Sequence, residues 1–180
     1  MLTYHSIIVN NAGIAIEADR PQPIWEFKEE DWDLEMSINS TGVFLGCKYA
    51  AAQMVKQKPL QSGYGGAIIN MSSILGLQAV PKNAAYNAGK HAVIGLTKTA
   101  ALDLAPYNVK VNAICPGYTY SAMTKGPLGD EGNRKRLEGL HPLRLGQTED
   151  FGQVAVFLAS EENTWITGVG LPVDGGYSAQ

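Results

Sequence analysis

Cysteine is nearly absent. Cys47 and Cys115 are the only two in 180 residues, too few and too far apart for a disulfide framework or a metal-ligand cluster, so a reducing compartment is expected. The formal charge is -3 without any run of Lys or Arg, which argues against a nucleic-acid backbone or an anionic membrane surface as partner. No apolar stretch approaches the ~20 residues needed to cross a bilayer, and residues 1–6 hold no basic segment followed by a long apolar one. A soluble, cytoplasmic chain without membrane contact is expected. The three histidines, His5, His91 and His141, lack ligand spacing, and His91 projects about 100° around its helix from Lys90, so no metal is implied. Internal repeats and low-complexity tracts are missing as well.

What is present suits one globular core: 45% of the residues are hydrophobic and 17% charged, and residues 1–180 read as a single domain. Short apolar runs alternate with longer amphipathic segments, the pattern of βα units on a parallel sheet. Ile7 to Asn10 and Ala67 to Met71 read as buried strands, the first ending at Asn11-Ala12-Gly13 and the second at Ser72-Ser73. Between them Glu29 to Lys58 has Trp32, Met36, Val43, Phe44, Cys47, Ala51 and Val55 at helical spacing, predicting one long helix that ends before Pro59. Asn83 to Leu104 predicts a second long helix, Val109 to Cys115 a third strand, Glu149 to Ser160 a third helix and Gly168 to Val173 a last strand. Residues 118 to 146 break the rhythm just past a strand's carboxyl end, the edge of an open parallel sheet where ligands sit, and read as a substrate loop with short helices.

The chemistry centres on Tyr86 and Lys90, four residues apart near a helix start and therefore on one face, one turn apart. A fixed cation nearby favours the phenolate, which would let the phenol exchange a proton closer to neutral pH. Alone this pair is a common pattern. Ser73 ends a strand thirteen residues earlier, and strand end followed by helix start brings two side chains to one crevice. Its hydroxyl then holds a substrate oxygen, or else Ser72 and Ser73 simply begin a turn. Arg134, Lys135 and Arg136 read as a solvated face or as an anionic substrate contact. Gly63, Gly65 and Gly66 precede a strand rather than follow one, so they form a turn and not a phosphate cradle.

Asn10-Asn11-Ala12-Gly13 after a strand, Ser73, Tyr86-x-x-x-Lys90, Asn112-x-x-x-Pro116-Gly117 and Val173-Asp174-Gly175-Gly176 occur in one order, and the chain resembles the short-chain dehydrogenase/reductase family over nearly its whole length. The resemblance implies a Rossmann-like, doubly wound α/β fold and an oxidoreductase that moves a hydride between NAD or NADP and a small-molecule carbonyl or alcohol. It makes Tyr86 the acid/base, Lys90 the residue that lowers the Tyr86 pKa and holds the nicotinamide ribose, and Ser73 the residue that positions the carbonyl. Asn39 matches the family's fourth catalytic position, where a water links the Lys to solvent; the other reading is a solvated helix position. Gly13 lets backbone approach the cofactor, with Ala12 beside it, and Asn11 corresponds to the residue that ties strands together and lines the cleft. Pro116, Gly117, Thr119 and Ser121 complete the cofactor set, Ser121 standing where the family usually has Thr. Asn112 has a structural reading of equal weight. Tyr118, Tyr120, Met123, Leu128 and Leu140 suggest a partly apolar pocket or loop packing.

Family members begin with a strand, a glycine-rich turn and a helix that receive the pyrophosphate. Met1 falls just before what resembles the fourth family strand, so the expected sheet is strands 4-5-6-7, N-terminally truncated, with the first strand at an open edge. The expected partner is a second copy of the chain, in a dimer or tetramer. The competing reading is a non-catalytic member acting only through assembly. Extended epimerase and dehydratase relatives would need more chain after Pro116.

Overall fold

The computed structural model describes residues 6–60 and 62–180; His5 and the expectation of a leaderless start lie outside them, apart from Ser6. Strands β1 (Ile7–Asn10), β2 (Gly66–Met71), β3 (Val109–Pro116) and β4 (Gly170–Val173) form one parallel sheet in the order β1-β2-β3-β4. Side chains alternate along β3: Val109, Val111, Ala113 and Cys115 face one side, while Ile114 faces the other. Against the first side pack α3 (Gly42–Met54) and α4 (Ala84–Leu104), with Val43, Cys47, Met54, Ile68, Val93, Ala101 and Leu104 in the core. Against the second packs α7 (Thr148–Ala159), through Leu158 and Ala159 on Ala67, Ile69 and Ile114. Helices on both faces make the fold Rossmann-like and doubly wound, as the resemblance implied.

Two expectations need correcting. Strand β1 is not buried: Ile7 is 51% and Val9 43% exposed, because β1 is the sheet edge and α7 covers only β2 and β3 on that face. The helix predicted over residues 29–58 is α2 (Glu29–Met36) and α3 joined by a π-helical turn at Ser37–Thr41, and it ends at Met54. An inserted residue of this kind turns a side chain off the regular helical faces, and here it directs Asn39 inward. The sequence also gave no sign of the short helix α1 (Ile16–Asp19).

A buried polar string ties the first face together. Asn10 Nδ2 donates to Asn70 Oδ1 at 2.8 Å across the β1–β2 register, Asn70 Nδ2 donates to Thr97 Oγ1 at 2.9 Å, and the Thr97 hydroxyl donates to Val93 O at 2.8 Å. On the other face Lys110, inside β3, donates its ammonium to Ser160 O and Asn163 O, placing a cation at the carboxyl end of α7.

Residues 118–146 leave the sheet after β3 and return beside it. Tyr120 N donates to Gly146 O and Gly146 N to Tyr118 O, closing the excursion at its base. It holds α5 (Lys125–Gly129) and α6 (Glu131–Gly139), whose Leu128 and Leu137 pack with Leu145 into a small core of their own.

Candidate active site

A cavity of about 750 Å³ opens at the carboxyl ends of β1, β2 and β3. Asn11, Gly13, Ser73, Tyr86, Lys90, Pro116, Gly117, Thr119 and Ser121 all line it; Ala12 and Asn39 do not. Of the five residues read as a pocket or loop packing, Tyr118, Met123 and Leu140 line the cavity. Leu128 is core, and Tyr120 is exposed with its hydroxyl near Glu138.

Ser73 begins a turn, one of its two readings, and its side chain also lines the cavity. Its Oγ accepts from Leu75 N–H at 3.1 Å, beginning the 3-10 turn Ile74–Gly76, and its hydroxyl also hydrogen-bonds the Tyr86 side chain at the cavity wall. Ser72 Oγ donates to Lys90 O at 2.9 Å and fastens α4 to the end of β2. The amino end of α4, which carries Tyr86, lacks a side-chain bond from its own cap residue Asn83; instead Ala85 N–H donates to Glu17 Oε1 at 2.8 Å.

The expected lowering of the Tyr86 pKa by Lys90 is not found. Burial pushes the phenol up to about 12, with a hydrogen bond to Ser73 opposing and Glu35 and Tyr118 adding. Lys90 Nζ lies 5.4 Å from the centre of the Tyr86 ring, and it donates to Met71 O at 2.9 Å. Burial brings the ammonium itself down to about 8, against the attraction of Glu35 and Cys115. Lys90 is thus tied to the β2 backbone, and burial keeps the Tyr86 phenol protonated at neutral pH.

Asn39 is fully buried rather than solvated. Its Oδ1 accepts from Ile14 N at 3.0 Å and its Nδ2 donates to Ile14 O at 2.8 Å, as a neighbouring strand would. Between Asn39 and Lys90 stands Gly13, where a Cβ would come 3.1 Å from Asn39 Oδ1 and 3.4 Å from Lys90 Nζ. The strand-tying role expected of Asn11 belongs to Asn10; Asn11 is exposed at the cavity mouth. Asn112 is structural: it donates to Ile166 O at 2.9 Å and accepts from Val169 N at 3.2 Å, holding the approach to β4.

Two residues went unnoticed in the sequence. Glu17 and Glu35 are buried together beneath the cavity, Glu35 accepting from Ile16 N at 3.3 Å and Asn39 Nδ2 at 3.4 Å. Burial, then the hydrogen bond and charge of Glu17, raise Glu35 to about 8, opposed by Ile16 N–H and Lys90. Two glutamates eighteen residues apart carry no spacing signal. Among the described residues no three His, Cys, Asp or Glu side chains converge as a metal site, and no helix is long and apolar enough to cross a membrane.

The chain is similar to known oxidoreductases in sequence and fold. A family model described as Enoyl-(Acyl carrier protein) reductase matches residues 4–178. The chain is 38% identical over 170 residues to 3-oxoacyl-[acyl-carrier-protein] reductase FabG of Thermotoga maritima, covering 94% of this chain and 65% of that protein. It is 40% identical over 174 residues to trans-4-hydroxycyclohexanecarboxylate dehydrogenase of Sinomonas cyclohexanicum, covering 96% and 60%. Among solved structures, a gluconate 5-dehydrogenase from Burkholderia cenocepacia in complex with NADP and tartrate superposes with a TM-score of 0.88 at 34% identity, over 97% of this chain and 65% of that one. The chain thus spans somewhat less than two thirds of the length of each of these relatives.

Proposed function

The chain belongs to the short-chain dehydrogenase/reductase family, and from that premise we propose that it is an NAD(P)-dependent oxidoreductase interconverting a carbonyl and an alcohol on a small molecule. The observation that carries the proposal is the meeting of Ser73, Tyr86 and Lys90 with Gly13 in one cavity at the strand ends.

The residues present fit the nicotinamide end of such a cofactor. Gly13 leaves room that a side chain would take from Lys90 and Asn39, and Lys90 keeps two ammonium protons beyond the one given to Met71 O. Lys90 would hold the ribose, while Asn11, Pro116, Gly117, Thr119 and Ser121, which line the same cavity, would border the ring; Ala12 stands outside that lining. When bound, the cofactor supplies or accepts the hydride. Ser73 Oγ donates a hydrogen bond to the carbonyl oxygen as negative charge develops there. Tyr86, protonated at neutral pH, gives that oxygen its proton. Asn39 holds the Ile14 backbone and so keeps the Gly13 segment against Lys90, the place from which a relay water would be organised. Residues 118–146 form the substrate loop of a single domain.

We also infer a homo-oligomer in the cytoplasm. Phe44, Leu45 and Tyr49 on α3 and Val156 and Phe157 on α7 are exposed apolar side chains suited to contacts between copies, and both cysteines are free and buried, as a reducing compartment allows.

The test is titration of the purified chain with NADH and NADPH, followed by nicotinamide fluorescence, alongside ketone reduction. Tyr86→Phe should keep cofactor binding and lose about 100-fold or more in turnover. Lys90→Ala should lose both. A folded chain that binds neither cofactor at millimolar concentration would contradict the proposal and leave assembly as the role.

A further inference from the structure

The chain is acidic overall, at a net charge of -3, yet its cavity is not. Lys82, Lys90 and Arg136 line it against one carboxyl group, Glu17, which is buried and bonded to Ala85 N–H. Arg136 is the third of three successive cations on α6, and the other two are neutralised one turn away: Arg134 meets Glu138 at 3.7 Å and Lys135 meets Glu131 at 2.8 Å.

Arg136 has no carboxylate partner among the described residues. Its Nε and Nη2 instead donate to Asn133 Oδ1 at 3.3 and 2.8 Å. Asn133 is itself fixed, through Nδ2 to Pro127 O at 2.8 Å and through its backbone N–H to Asp130 Oδ1 at 2.7 Å. An amide oxygen orients the guanidinium without cancelling its charge, and three of the five N–H donors remain free. The field of that charge reaches the cavity wall: burial lifts the Tyr118 phenol, Tyr177 adds to the rise, and Arg136 draws it back.

A planar, oriented and uncompensated guanidinium on a cavity wall matches a carboxylate, which it can bind through two parallel hydrogen bonds. We propose that Arg136 binds a carboxylate at the far end of the substrate, so that the cavity takes oxo and hydroxy acids in preference to neutral carbonyl compounds. Leu137 and Leu140, from the same stretch of chain, line the wall beside Arg136 and would contact the apolar body between the two polar ends. The inference rests on the reading of this cavity as the substrate site. The other anion within reach of that reading is a phosphate of the cofactor, and the experiment separates the two.

Calorimetric titration of the full chain, with and without NADPH, would compare 4-oxocyclohexanecarboxylate with its carboxamide, which has the same shape and no charge. The wild-type chain should bind the acid about tenfold more tightly than the amide. Arg136→Gln should bring the two level by weakening the acid alone, Arg136→Lys should restore part of the difference, and Arg134→Gln should leave it intact. A preference for the acid that survives Arg136→Gln would overturn the assignment, as would an Arg136→Gln effect confined to NADPH. Equal binding of acid and amide by the wild type would defeat the inference and leave the cavity a substrate site. A folded chain that binds neither ligand nor cofactor would defeat both.

Discussion

Glu35 is a fully buried carboxyl group, and its partners define what protonation does there. Glu17 Oε1 takes Ala85 N–H while Oε2 is buried without a donor, so a proton on Glu35 supplies the pair with the donor it lacks. With a folded value near 8 against 4.5 in the unfolded chain, the folded state holds the extra proton between those limits. Stability contributed by this group is complete below about pH 4.5 and is lost as pH rises through about 8. The slope is about 1.4 kcal/mol per pH unit. Urea unfolding from pH 5 to 8 should show this decline, and Glu35→Gln, which carries its own donor and cannot ionise, should flatten it. Parallel curves for the two proteins would place the pH dependence elsewhere.

The elements that were legible in the sequence are those whose signal is local. Strands β2 and β3 are continuous apolar runs bounded by turn residues, and α4 is an Ala-rich amphipathic stretch stopped at Pro106, so their bounds fall within a residue or so of expectation. Ser73, Tyr86 and Lys90 were legible for the same reason, since strand end and helix start fix their relative places. The π-helical turn was not, because it depends on a bond from Asn39 to Ile14, twenty-five residues away. Nor was the division of labour between Asn10 and Asn11: alternation along β1 turns Asn10 toward Asn70 and Cys47 and leaves Asn11 at the mouth, and a one-residue offset reverses the roles. The cost of losing that distant bond is measurable. Asn39→Ala leaves the Ile14 N–H and C=O without partners and should destabilise the fold by about 2–4 kcal/mol in chemical denaturation. An unchanged midpoint would mean that water replaces the amide.

At the scale of the whole molecule, the proposed assembly rests on the apolar side chains outside the core. Tyr49 is 65% exposed on α3 and Val156 72% on α7, more than a solitary soluble helix face needs. Light scattering should report a mass at least twice that of one chain, and Leu45→Glu with Tyr49→Glu should lower it without loss of helical signal. A monomer in the wild type would remove the proposed assembly.

The order β1-β2-β3-β4 also bears on how the molecule comes into being. Each strand lies beside the one made just before it, so a chain growing from its amino end lays every new strand on an edge already waiting. Among these four strands no gap is held open for a late arrival, and each closure spans a single crossover connection, of one to three helices. The proposed trio of Ser73, Tyr86 and Lys90 is complete once α4 has emerged, but the wall bearing Arg136 follows later, after β3. On the proposed reading, reaction groups precede the surface that selects what reaches them, and a nascent chain paused between the two would hold the first without the second.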